Sequence, residues 1–353
     1  FNVTITAQDQ FNNRVQNFNS TATLSSNTGA NTFTPTTAPF TSGQCTLNVT
    51  IYKATYPGTA RLTCSYAGKS GQSNTFIVNL GPYAKVVLIL PGETHKPGDI
   101  VAQGKSGTPY PYTVGNPAIQ TTVYAVDQFW NRVHPLDPEP RIEITTAHYL
   151  NVQPNNPWSM SNGEAIFWTT LKTAATGQML IATDIATGIN NASRIDVNPG
   201  NFVKLQIIAP DEVADPGSDL GKTGVVRSQV AGVSFDVQVR AVDQYWNLVP
   251  DINGESIDLT SAGDTSLDGR YSPKPLVGGL TSFNIWLDGN NQDIDVTAVS
   301  LQPPPFVDQH TVWVHVDRGH KYIVEVPTSC IAGTLSTNVF SMTVKLLDEN
   351  NQV

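Results

Sequence analysis

Apolar and polar residues alternate along most of this chain. In Phe1-Asn2-Val3-Thr4-Ile5-Thr6-Ala7 the odd positions are apolar and the even ones polar, the period of a strand with one buried face. The same period, bounded by turn residues, predicts strands at 21–24, 45–51, 60–66 and 75–78. A second series follows at 85–90, 119–126, 141–145, 164–171, 178–183 and 192–197, with room for a short strand near 149–152. A third runs through 203–209, 234–242, 256–260, 281–287, 293–299 and 311–316, and strands at 321–326 and 339–347 begin a fourth. No window of about 11 residues shows a capped apolar period of 3.6, so helix should be nearly absent.

The series are copies of one another. Ala241-Val242-Asp243-Gln244-Tyr245-Trp246-Asn247-Leu248-Val249 restates Ala125-Val126-Asp127-Gln128-Phe129-Trp130-Asn131-Arg132-Val133. Ala7-Gln8-Asp9-Gln10-Phe11-Asn12-Asn13-Arg14-Val15 is a looser version, and Leu347-Asp348-Glu349-Asn350-Asn351-Gln352-Val353 is a shorter one. The aspartates at 9, 127, 243 and 348 are 118, 116 and 105 residues apart, the size of a domain and not of a solenoid turn. Lys85, Lys204 and Lys321 open the first strands, and Pro91, Pro210 and Pro327 close them. Six or seven strands per period indicate all-β, tandem immunoglobulin-like Greek-key β-sandwich domains arranged end to end. The expected modules are 1–82 without its first strand, 83–200 and 201–318 complete, and 319–353 with two strands. Such incomplete ends fit a section of a longer array better than an exchange of end strands between copies. Five residues link Asn198 to Lys204, so bending between modules should be limited.

Composition narrows the functional classes. Charged residues make up 14% of the chain, the net charge is −9 and the pI about 5.0, against the clustered Lys and Arg of a nucleic-acid groove. No apolar run approaches the ~18 residues of a membrane helix. Cys45 and Cys64 fall in register with core positions of neighbouring strands, as a disulfide or as two buried thiols. Cys330 stands alone.

The Ala-x-Asp-x-x-x-Asn phrase at the end of the second strand, on modules of this length, resembles bacterial Ig-like repeats, including those of invasin- and intimin-like adhesins. The resemblance implies an exported, cell-surface or fibrous protein and names no ligand; that the section is non-catalytic is a separate expectation, since no catalytic motif stands in the sequence. The departure is the long stretch between first and second strands, Gly92–Pro117 and Asp211–Val233. In a sandwich of this topology that stretch should lie at the pole opposite the Asp-Asn phrase. Asp243–Asn247 should then face the Gly92–Pro117 loop of the preceding module, with Trp130 and Trp246 packing the junctions beside Phe129 and Tyr245. The Asp and Asn side chains should cap a tight turn. A calcium site is the sharper alternative, built on Asp127, Asn131, Asp243 and Asn247 with Glu93, Asp99, Asp211, Glu212 or Asp219, although a D-x-D-x-D run is missing.

Other signals read as structural. Gly104-Lys105-Ser106 and Gly221-Lys222-Thr223 end like phosphate-binding loops, but the upstream glycine is misplaced and no helix follows. The six histidines lack paired ligand spacing, and nothing marks the buried acid that a Lys–Asn isopeptide at Lys85 or Lys204 would need. Trp158 could stack on a sugar, though a turn anchor is the plainer role. The expectation is a stalk or fibre section whose partners are neighbouring copies of the repeat. The alternative is an adhesive module recognising carbohydrate or protein through the long loops.

Overall fold

In a computed structural model the described residues are 1–265, 267–289, 292–302, 310–318, 321–325 and 342–347. All regular structure among them is strand. Cys330 and the Asp348 phrase lie outside the described residues. The chain divides into two compact units. One holds Phe1–Tyr112, Pro117–Leu171 and Ala175–Val197; the other holds Thr113–Asn116, Lys172–Ala174 and Asn198–Val353.

The first unit opens with β1 (Asn2–Thr6), β2 (Thr21–Ser26), β3 (Phe33–Thr34), β4 (Thr37–Pro39), β5 (Gln44–Asn48), β6 (Thr50–Ile51), β7 (Leu62–Tyr66) and β8 (Lys69–Gln72). β1 pairs with β5, β3 with β6, and a second sheet has the order β4-β2-β7-β8. Leu24, Phe33, Val49 and Leu62 form the core between them. The expected strand at 75–78 shrinks to one bridge, Ala60 with Phe76; β8 takes the place beside β7 instead. Cys45 and Cys64 are not on neighbouring strands as expected. They lie on β5 and β7, in the two different sheets, and pack in one apolar cluster as free thiols. Burial raises both thiol pKa values.

The unit continues with β9 (Lys85–Ile89), β10 (Glu93–Lys96), β11 (Gly104–Gly107), β12 (Tyr112–Thr113), β13 (Ile119–Val126), β14 (Arg141–Thr145), β15 (Leu150–Gln153), β16 (Trp158–Ser159), β17 (Glu164–Leu171), β18 (Ala175–Asp184) and β19 (Asn190–Asn198). One sheet runs β15-β17-β13-β9, the other β12-β19-β18-β14-β16. The alternation seen in sequence becomes burial alternation: in β17 Ala165, Phe167, Thr169 and Leu171 face inward, while Glu164, Ile166, Trp168 and Thr170 do not.

The second unit repeats the plan with β20 (Lys204–Ile208), β21 (Val213–Ala214), β22 (Lys222–Thr223), β23 (Gln229–Val230), β24 (Phe235–Val242), β25 (Ser256–Thr260), β26 (Lys274–Pro275), β27 (Leu280–Ile285), β28 (Gln292–Ser300) and β29 (His310–Asp317). Its sheets run β20-β24-β27 and β23-β29-β28-β25-β26, with β23 parallel to β29. Leu205, Ile207, Val239, Phe283, Ile294 and Val314 are among the buried residues between them. β30 (Lys321–Glu325) pairs with β31 (Thr343–Leu347). This is an immunoglobulin-like sandwich architecture: the first strand pairs with the second in one sheet, and a short later segment crosses over to run beside the last strand of the other.

The long stretches between first and second strands are structured. Each carries a hairpin, β10–β11 or β21–β22. These pairs are two to four residues long, too short to show a period in sequence.

Candidate functional site

The repeated phrase forms a closed turn in three places. Asp127 N–H donates to Asn131 O at 2.9 Å and Trp130 N–H to Asp127 O at 3.1 Å. Asp127 Oδ1 accepts the N–H groups of Phe129 and Asn131 at 2.8 and 3.0 Å. Asp243 binds Tyr245 and Asn247 at the same distances. Asp9 takes Phe11 and Asn13, both at 2.9 Å, and the Asn13 N–H in particular holds its carboxyl below the usual range. A short acceptor side chain suits the place because one oxygen must accept two converging backbone donors.

The turn also dictates a left-handed residue before the asparagine. Asn12, Trp130 and Trp246 have φ of 66, 62 and 67°. Asparagine tolerates that region cheaply, whereas tryptophan does so only when something holds it there. The holding groups lie in the same sandwich. The Trp246 ring packs on Gly221 and meets His310 edge-on at 5.6 Å, Lys204 Nζ sits 3.3 Å from its centre, and its Nε1 donates to Asp219 O. Trp130 packs likewise on Gly104 under Lys85. The expectation that these tryptophans reach the preceding module is therefore corrected: they brace their own hairpin. Lys85 and Lys204 also donate to Gln128 O and Gln244 O, in cation–aromatic and turn contacts.

Gly221 shows how tight the brace is. Its φ is +74°, and a Cβ there would lie 2.1 Å from Trp246 Cγ. Gly221→Ala should cost about 3 kcal/mol, from left-handed strain and an overpacked ring together. Denaturant titration of the variant would check this, and an unchanged midpoint would refute the brace.

The group that reaches outward is the asparagine. In the first unit Asn131 Nδ2 donates to Tyr52 O at 2.8 Å and Oδ1 accepts Ala54 N–H at 2.9 Å. In the second unit Asn247 Nδ2 donates to Lys172 O at 2.8 Å and Oδ1 accepts Ala174 N–H at 2.7 Å. Each amide grips a carbonyl and the N–H two residues on, just past the end of a strand. The aspartate holds the linker: Asp127 Oδ2 accepts Gly81 N–H at 3.1 Å and Asp243 Oδ2 accepts Gly200 N–H at 2.8 Å.

The tip of the long stretch joins this grip. Gly98 N–H donates to Phe129 O and Ile100 N–H to Asn31 O, Gly98 lies against Lys53, and the Phe129 and Tyr52 rings are 4.9 Å apart. In the second unit Gly217 N–H donates to Tyr245 O, Thr173 Oγ1 donates to Pro216 O, and Lys172 lies 5.7 Å from the Tyr245 ring. The hairpin tip thus sits beside the Asp-Asn turn, not at the opposite pole. A hairpin folds each stretch back on itself, and that fold brings its tip to the turn. The far end of the 92–117 stretch does meet the next phrase, through Gly115 against Gln244.

The calcium alternative finds its oxygens already used. Both carboxylate oxygens of Asp127 and of Asp243 accept N–H groups, including the Nδ2 of Asn131 and Asn247. Glu93 and Glu212 face the other way. Glu93 caps Leu90 N–H and pairs with Lys105 at 3.0 Å; Glu212 caps Ala209 N–H and pairs with Lys222 at 2.7 Å. Asp99 caps Val101 and Ala102, and Asp219 and Asp211 stand near Lys172 and Arg227. Among the described residues no three acidic, His or Cys groups converge on a metal position. The lysines of the two Gly-Lys-Ser/Thr stretches are the partners in those ion pairs, a structural use. Trp158 and Trp168 are exposed but belong to different sheets, so they form no common stacking platform.

The fold and this grip define a class: tandem immunoglobulin-like sandwiches whose second-strand turns hold neighbouring backbone. No protein-family model matches the chain, and no curated protein matches it. Among solved structures it is similar to surface layer protein SbsC, domains 4–9, at 14% identity, 91% coverage of this chain, 43% of that one and a TM-score of 0.23. A second S-layer structure, rSbsC(31–844), gives 12%, 99%, 41% and 0.24. A Bacteroides ovatus mixed-linkage glucan utilisation protein, SGBP-B, in complex with a heptasaccharide gives 11%, 92%, 71% and 0.17. The chain spans about two fifths of the length of the two S-layer structures.

Proposed function

We propose that this chain is a structural section of an extracellular bacterial surface protein, a stalk or fibre without catalytic activity, in which the Asp-Asn turn stiffens successive joints. The observation that carries the reading is the identical backbone grip made by Asn131 and Asn247. A side chain that binds a carbonyl and an N–H two residues apart resists both sliding and hinging, because either motion strips two partly buried hydrogen bonds together. The acceptors are backbone groups, so the grip works on any module that presents a strand end. That tolerance suits an array of divergent repeats. Five-residue linkers shorten the free span further.

Small-angle scattering on the full chain tests this. Asn131→Ala with Asn247→Ala should give a broader distance distribution and greater apparent flexibility than the unaltered protein, with the strand signature in circular dichroism kept. Superimposable curves would remove the joint-stiffening role.

A further inference from the structure

Lys105, on β11, ends in the gap between two strands. Its Nζ donates to Leu88 O of β9 at 3.1 Å and to Ala192 O of β19 at 3.2 Å. β9 is the edge strand of its sheet, and the N–H and C=O of one strand residue leave on the same side. The Leu88 N–H therefore points into the same gap, where Asn191 Oδ1 accepts it at 3.0 Å. The Lys105 amine and the Asn191 carboxamide are thus held on the two backbone groups of a single residue. The amine is also bonded to the residue that follows Asn191.

Glu93 completes the group. Its side chain is only 5% exposed, and its Oε1 lies 3.0 Å from Lys105 Nζ. Oε2 accepts Leu90 N–H at 2.9 Å and Oε1 accepts the Ser193 hydroxyl at 2.7 Å, so the carboxylate is fixed against the amine. The acid that is missing beside Lys85 and Lys204 stands beside Lys105. As an ion pair this arrangement repays little in stability, because burying the charges offsets their attraction. As a nucleophile, a proton carrier and an acyl carbon held together it is a set of reactants.

The second unit keeps every member but one. Lys222 Nζ pairs with Glu212 at 2.7 Å and donates to Ile207 O at 3.4 Å. The partner of Ile207 N–H, however, is His310 Nδ1, and a histidine side chain has no acyl carbon. The member that differs between the units is the electrophile.

We propose that Lys105 and Asn191 join in an amide cross-link, with Glu93 carrying the protons. Glu93 takes a proton from the Lys105 ammonium, and the freed amine attacks Asn191 Cγ. Leu88 N–H stabilises the negative charge that develops on Oδ1. The Cγ–Nδ2 bond breaks as the Nζ–Cγ bond forms. Of the three ammonium protons one stays on the new amide, and two pass through Glu93 to the departing nitrogen, which leaves as ammonium. Glu93 ends as it began, a carboxylate, and no oxidant or cofactor is consumed. The product fastens the β10–β11 hairpin to the last strand of its own sandwich and replaces a buried ammonium with a neutral amide.

Intact mass spectrometry of the full chain tests this. The folded protein should read one ammonia below the mass of its sequence, and a tryptic map should show no cleavage after Lys105, with its peptide joined to that of Asn191. Lys105→Met and Glu93→Gln should keep the strand signature in circular dichroism and read the full sequence mass. The mass and map of the unaltered chain decide the matter even where a variant fails to fold. The proposal is overturned if the folded, unaltered chain stays at its sequence mass with Lys105 open to trypsin. It is equally overturned if the ammonia loss persists in Lys105→Met, which would assign it to asparagine cyclisation, or if Glu93→Gln links as completely as the unaltered chain.

Discussion

Asn131→Ala should lower the stability of the first unit by about 2–3 kcal/mol, since Tyr52 C=O and Ala54 N–H both lose their partner and Asp127 loses a donor. For a unit of this size that is a drop in melting temperature of roughly 5–10 °C, read by calorimetry. Asn131→Asp is the sharper arm. It keeps an acceptor for Ala54 N–H but places a second negative charge against the Asp127 carboxylate and a carboxylate against the Tyr52 carbonyl. At neutral pH it should be at least as damaging as alanine, and it should recover in acid as the new carboxyl takes a proton. If both variants melted within about a degree of the unaltered chain, the grip would be a contact without energetic weight.

The second large effect is acid sensitivity in the second unit. His310 Nδ1 accepts Ile207 N–H at 3.0 Å. Burial, helped by the nearby Lys222 and Lys204 and opposed by Glu212, pushes its pKa down to about 4. The folded state thus keeps the ring neutral, while the unfolded chain takes up a proton below about 6.5. Stability is full above that value and falls as pH drops toward 4, by about 2 kcal/mol at pH ~4.5 after allowing for partial exposure. The first unit shows the remedy: Asn191 Oδ1 accepts Leu88 N–H at 3.0 Å in the equivalent place. His310→Asn should therefore keep the hydrogen bond and flatten the acid limb of the second unit's melting curve between pH ~6.5 and ~4. His315 works in the opposite sense. Its hydrogen bond to Asp293 raises its pKa, so its contribution is present in acid and is lost as pH rises through that raised value. An acid limb unaltered by His310→Asn would assign the sensitivity to carboxylates instead.

Much of the sandwich was legible because burial on one face forces a period of two. The alternation in 164–171 reappears as the inward set Ala165, Phe167, Thr169 and Leu171. The turn was legible for a similar reason: two backbone donors converging on one oxygen admit few residues, so Asp9, Asp127 and Asp243 recur at nearly fixed spacing. What the asparagine grips was hidden. Asn131 holds Tyr52, 79 residues earlier, and Asn247 holds Lys172, 75 earlier. The gripped groups are backbone atoms, which leave no residue type to read. Tryptophan misled for the opposite reason. Its size suggested a contact between modules, whereas the glycines that receive it, Gly104 and Gly221, lie in a hairpin too short to announce itself.

The sequence alone determined that this chain is built of β-sandwich repeats with a capped turn after each second strand, because side-chain periodicity and turn chemistry are local constraints. Only the tertiary structure decided that the tryptophan braces its own hairpin while the asparagine reaches a neighbouring strand end. Both outcomes depend on where the hairpin folds back, and that is set by packing between residues far apart in the chain.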